Sequence, residues 1–181
     1  MKSQLTQDIE KCCLKEFSKM GVFICPEVGI NIKRFGFSKR YYKGLNLTEQ
    51  EMTDKGWQPN WHTDTEIVDL LAWESNKNIW KCFEIKITYQ DFKSSASKTF
   101  IGNYNYYVVP DTLVEKVEIE IPRGIGIYVY QTEEPEYYWQ NRLSCFRRAK
   151  RQELCCTQDE IYYGMIKSLY REMTKLRKQV D

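Results

Sequence analysis

Apolar and polar positions alternate along this chain in two rhythms. From Ser3 to Gly21 the apolar residues Leu5, Ile9, Cys12 or Cys13, Phe17 and Met20 recur three and four apart, the helical period, and Gly21 offers a stop. VFICPEVGI at 22–30 reads as a strand, and Pro26 within it points to a sheet edge or a bulge. Residues 33–60 hold glycines, Pro59 and clustered cations, and read as a long loop or insertion. HTDTEIVDLLAW at 62–73 starts polar and turns apolar, as an entering strand does. ESNKN then supplies turn residues and IWKCFEIKIT follows, so this region predicts a β-hairpin with a loop longer than two residues.

Further along, YQDFKSSASKTF predicts a short helix starting near Asp91, and NYNYYVVP a strand closed by Pro110. DTLVEKVEIE predicts a helix capped by Asp111, and RGIGIYVY a strand opened by Gly124 and Gly126. TQDE at 157–160 has the form of a capping box. Tyr162, Ile166, Leu169, Met173, Leu176 and Val180 follow it in a coiled-coil-like stripe. That stripe predicts packing on the core in the first place, and a homodimer seam through 162–180 as the sharper alternative. The order is helix, three strands, helix, strand, short helix, strand, helical tail, which is an α/β chain with a mixed sheet.

Composition narrows the class. A chain of 181 residues with 42% hydrophobic and 14% aromatic content is long and apolar enough for one folded domain, which excludes a disordered chain. A net charge of +2 gives no bulk argument for nucleic-acid binding. The distribution does more. KRFGFSKRYYK at 33–43 carries five cations, Lys33, Arg34, Lys39, Arg40 and Lys43, and no acid. Residues 141–181 hold ten Lys and Arg against five Asp and Glu. Such patches suit a polyanion, and equally a solvated surface.

The seven cysteines include no C-x-x-C pair, so no common zinc or iron–sulfur pattern is present. The polar start MKSQLTQDIEK lacks a signal-peptide pattern, and no stretch reaches the length of a membrane span. Reduced thiols, a cytoplasmic location and no membrane partner are therefore expected. The single histidine, His62, excludes metal sites that need several, and reads as a loop residue.

The chemistry concentrates in FEIK. Glu84 and Lys86 are two apart on an apolar strand, so both point to one face of the sheet. Asp69 lies on the preceding strand, with fourteen residues between it and Glu84, which suits antiparallel neighbours. Two carboxylates held together repel unless a cation sits between them. Magnesium would serve, accepting Asp69, Glu84, the backbone carbonyl of Ile85 and waters. Lys86 would then position the attacking water and help neutralise charge building on a phosphate. A buried ion pair orienting the strand explains the same two residues equally well.

A resemblance separates these readings. Pro26–Glu27, IVD at 67–69, FEIK at 83–86, QDF at 90–92, NYNYYVVP at 103–110 and PRGIGIYV at 122–129 occur in this order. The series resembles the PD-(D/E)xK nuclease superfamily, and within it the MmcB-like DNA-repair group, over residues 5 to 130. The resemblance implies a restriction-endonuclease-like αβββαβ core over 1–131 with a basic insertion at 33–60. Residues 132–181 would be a helical extension packing on that core. It implies magnesium or manganese, and phosphodiester hydrolysis of DNA in repair or recombination. It makes Asp69 and Glu84 metal ligands, Lys86 the catalytic lysine, and Glu27 an additional acid. Asp91 would be an outer residue or a helix cap. Lys33, Arg34, Lys39, Arg40 and Lys43 would grip DNA. A DNA-binding module that keeps the fold without the chemistry is the alternative.

Overall fold

The computed structural model describes residues 2–36, 48–56, 60–94, 100–133 and 142–180. Its elements are α1 (Gln4–Phe17), β1 (Val22–Gly36), α2 (Glu49–Asp54), β2 (Asn60–Glu74), β3 (Ile79–Ile85) and α3 (Tyr89–Lys93), then β4 (Tyr104–Pro110), α4 (Asp111–Val117), β5 (Gly126–Tyr130), β6 (Leu143–Arg147) and α5 (Gln158–Val180). The strands form one mixed sheet in the order β1-β2-β3-β4-β5-β6. β2 runs antiparallel to both β1 and β3, β4 and β5 continue parallel to β3, and β6 closes the far side antiparallel. The expected α/β class with a mixed sheet is therefore the observed one.

Three apolar clusters hold the layers together. α1 buries Ile9 and Cys13 against Leu70, Phe83, Ile85 and Val108 on one face of the sheet. On the other face α5 packs Ile161 and Met165 against Val28, Ile30, Val68 and Trp80. Beside that cluster, α3 and α4 cover β4 and β5 through Phe92, Leu113 and Val117. The helix starts follow local rules. Ser3 accepts the Thr6 amide at 3.2 Å, and Thr157 and Glu160 exchange capping bonds at 3.3 and 2.9 Å, the box foreseen in TQDE.

Several expectations change. α1 ends at Phe17 rather than near Met20, which is fully exposed; the chain turns at Gly21, whose φ of 79° favours glycine. Asp111 is not a cap. Pro110 occupies that position, and Asp111 instead accepts from Thr112 N at 2.8 Å and Thr132 Oγ1 at 2.8 Å, tying α4 to the end of β5. The region expected as a loop from 33 to 60 is shorter, because β1 runs on to Gly36 and β2 begins at Asn60, with α2 between them. Lys33 and Arg34 thus lie in β1 and His62 in β2, whereas Lys39, Arg40 and Lys43 fall outside the described residues. The segment after 131 is not helical throughout, since β6 joins the sheet before α5 begins.

α5 meets the core on a different face from the expected one. Ile161, Met165 and Ser168 are buried, while Ile166 (65%), Leu169 (46%), Met173 (53%) and Leu176 (62%) are exposed. Gly164 makes the contact possible: a β-carbon there would stand 2.6 Å from the Gly29 carbonyl oxygen. α5 thereby covers β1, an edge strand as Pro26 foretold. No described helix is long and apolar enough to cross a membrane.

Candidate active site

The candidate centre lies where β2 leaves β3. The two strands pair from Leu70–Phe83 to Glu74–Ile79 and no further. At the next position Asp69 fills the gap: the Ile85 amide donates to Asp69 Oδ2 at 2.8 Å. The N–H and C=O of one strand residue point to the same side, so the Ile85 carbonyl also faces the side of Asp69. Burial raises the Asp69 carboxyl above the usual carboxylate range, against the lowering effects of the Ile85 amide and the Lys86 ammonium.

This shift sets a pH dependence. A carboxyl raised in the folded state weakens folding as pH rises from its unfolded pKa through its folded one. Asp69→Asn, which keeps an acceptor for the Ile85 amide, is expected to raise the melting temperature at neutral pH. The gain should vanish near pH 3, where Asp69 is protonated in both states. Melting curves across that range check it.

Glu84 and Lys86 lie on the face that carries α5, α3 and α4, as alternation required. Glu84 is 2% and Lys86 7% exposed. Lys86 Nζ is 3.8 Å from Glu84 Oε2 and 3.8 Å from Asp91 Oδ1, so the ammonium bridges a strand carboxylate and a helix carboxylate. Tyr107 stands opposite Glu84 in the parallel ladder, and burial together with the Glu84 charge pushes its hydroxyl up. Asp91 does not cap α3. Thr88 does, accepting the Asp91 amide at 3.1 Å, which leaves the Asp91 carboxylate facing Lys86.

Glu27 sits on the same rung as Asp69, because Pro26 pairs with Leu70 and Val28 with Val68. Its φ is 50°, a strained conformation for a residue other than glycine. The sheet alternation slips at this rung on both strands. Cys25 and Val28, three apart, share one cluster, as do Leu71 and Val68. The Glu27 carboxylate does not join Asp69. It pairs with Lys2 at 2.9 Å and Arg171 at 3.4 Å, and the Lys2 hydrogen bond holds it below the usual carboxylate range. Its carbonyl accepts from Arg171 at 3.1 Å and Ser168 Oγ at 3.3 Å. Lys2 also pairs with Glu10, and its charge acts on Asp69.

Asp69 with Ile85, and Glu84 with Lys86, are thus brought together, while Glu27 is turned aside. Lys2 and Arg171 escaped sequence reasoning, having no motif and lying far from Asp69 along the chain. Lys33 lies exposed on the β1–β2 hairpin. Among the described residues no three His, Cys, Asp or Glu side chains form a group able to hold a metal ion. The candidate donors are the Asp69 carboxylate, held by the Ile85 amide, the Glu84 carboxylate, held by Lys86, and the Ile85 carbonyl. Magnesium accepts such a set, since it binds through one or two carboxylates and keeps several waters. Comparison with family models, with curated proteins and with solved structures finds no match to this chain.

Proposed function

We propose that this chain is a metal-dependent nuclease that hydrolyses phosphodiester bonds of DNA. The observation that carries the reading is the nearly buried Lys86 ammonium between Glu84 and Asp91, at the carboxyl end of β3, with its charge acting on Asp69. A cation held this way stabilises charge that develops on a phosphate while costing little reorganisation. The element order supports the reading too. α1, the antiparallel β1–β3, α3 and the parallel β4 follow the αβββαβ sequence that the resemblance to PD-(D/E)xK nucleases implies, with α2 inside the β1–β2 connection.

In this reading Asp69, Glu84 and the Ile85 carbonyl would hold magnesium or manganese, which would supply an acidified water and Lewis-acid polarisation of the phosphate. Lys86 orients the attacking water and faces the oxyanion that forms. Glu84 and Asp91 fix the Lys86 side chain. As the water oxygen bonds to phosphorus it gives up a proton to solvent, the bond to one sugar oxygen breaks, and that oxygen takes a proton from solvent as it leaves.

The test is incubation of the folded protein with plasmid and single-stranded DNA, with magnesium, manganese or EDTA. Cleavage dependent on either metal is expected. Binding that persists in EDTA with no cleavage under any metal would overturn the reading in favour of a silent DNA-binding module.

A further inference from the structure

α5 and the β1–β2 hairpin enclose a groove of about 860 Å³. Gly29, Asn31, Thr65 and Ile67 form one wall, and Lys33 comes two residues beyond Asn31 on the same face. The opposite wall carries Lys167, Arg171, Lys175 and Lys178, spaced four, four and three along α5, so the cations line one side of the helix over about 16 Å. Between them stand apolar surfaces that no described residue covers: Tyr163 is 64%, Tyr170 70% and Ile67 58% exposed. The acids lining the groove are Glu27, Asp159 and Glu160. Glu27 is bridged by Lys2 and Arg171, and Glu160 closes the Thr157 capping box. Glu172 pairs with Arg171 at 3.0 Å and Lys175 at 2.9 Å, so the positive charge offered to a ligand is greatest at Lys167 and Lys178. Cations on a rim beside open aromatic rings are the combination that grips a phosphate chain and stacks its bases.

We infer that this groove holds a single strand of nucleic acid, with phosphates along Lys167 to Lys178 and bases against Tyr163, Tyr170 and Ile67. A duplex hides its base faces and presents mainly phosphates, so it would leave the tyrosines and Ile67 unused. Glu27 joins the groove to the candidate centre, since it lines the groove and shares a rung with Asp69. The inference deepens the nuclease reading by naming the substrate form, and it rests on that reading only for the cleavage of a strand already bound.

The experiment uses the full chain in EDTA, with fluorescent oligo-dT and oligo-rU of about 12 nucleotides and a duplex of the same length. Fluorescence anisotropy at fixed salt gives the affinities. The single strands are expected to bind at least about tenfold more tightly than the duplex, and K167E/K178E to weaken that binding by about tenfold or more. Tyr170→Ala should cost roughly fivefold or more, with the melting temperature unchanged. Preference for either sugar supports the groove and identifies the substrate. Unchanged affinity in K167E/K178E, or a preference for duplex, overturns it. A Tyr170→Ala variant that changes the sedimenting mass but not the affinity also overturns it, marking a seam between copies instead. Binding in EDTA with no cleavage in magnesium or manganese removes the nuclease reading alone. Wild-type cleavage in magnesium or manganese, with K167E/K178E binding unchanged, removes the groove alone.

Discussion

Replacing Lys86 by methionine is expected to slow the proposed metal-dependent cleavage by at least about a hundredfold, the usual effect of deleting one preorganised donor to a developing oxyanion. Methionine keeps much of the length and apolar stem, so the loss would report the ammonium. The same change should destabilise the fold by about 3 kcal/mol, because Glu84 loses its cation while remaining 2% exposed. The double variant E84Q/K86M should recover much of that stability, since a neutral amide needs no counter-charge, and none of the cleavage. Urea titration of the two singles and the double separates the terms, and cleavage is compared at a temperature where all are folded. A double variant whose loss equals the sum of the two singles would show that the pair is not coupled. Cleavage retained in K86M would remove Lys86 from the chemistry.

Trp80→Ala should be among the most destabilising single changes, at about 3–5 kcal/mol. Trp80 is fully buried, stacks on Trp73 with ring centroids 5.5 Å apart, and meets the edge of Tyr162 from α5 at 5.1 Å. Its removal opens a void between the sheet and α5. Trp80→Phe should cost less than half as much, because the indole Nε1 has no hydrogen-bond partner among the described residues and phenylalanine gives up no polar contact to them. Equal losses in the two variants, measured by urea denaturation, would mean that the indole nitrogen has a partner after all.

Much of the architecture was legible because local chemistry and burial agree there. β3, β4, α4 and the box at Thr157 all follow their sequence patterns. β1 was read short because Asn31 and Lys33 face outward on the hairpin, and polar outward residues look like loop. β6 escaped because LSCFR buries little beyond Leu143. The error in α5 is more instructive. Ile161, Met165 and Ser168 repeat with the same spacing as Tyr162, Ile166 and Leu169, so periodicity alone does not say which row turns inward. Gly164 decides it, since only a residue without a side chain lets α5 approach the Gly29 carbonyl. Hydrophobic pattern gives a small residue no weight, although the close approach depends on it.

At the candidate centre, alternation placed Glu84 and Lys86 on one face, and hairpin geometry placed Asp69 nearby. The turn of Glu27 away from Asp69 depends on a left-handed backbone and on two cations remote in sequence. No pattern within the Pro26–Glu27 segment could reveal that arrangement.

The clasp on Glu27 has a consequence for the order of events at the ribosome. Arg171 emerges 144 residues after the glutamate whose carbonyl it binds. Asp69, Glu84 and Lys86 are all made long before it, so a nascent chain holds its reactive groups while the edge strand beside them still lacks its cover. In the nuclease reading, the centre is then complete only once α5 has been made and has docked on β1.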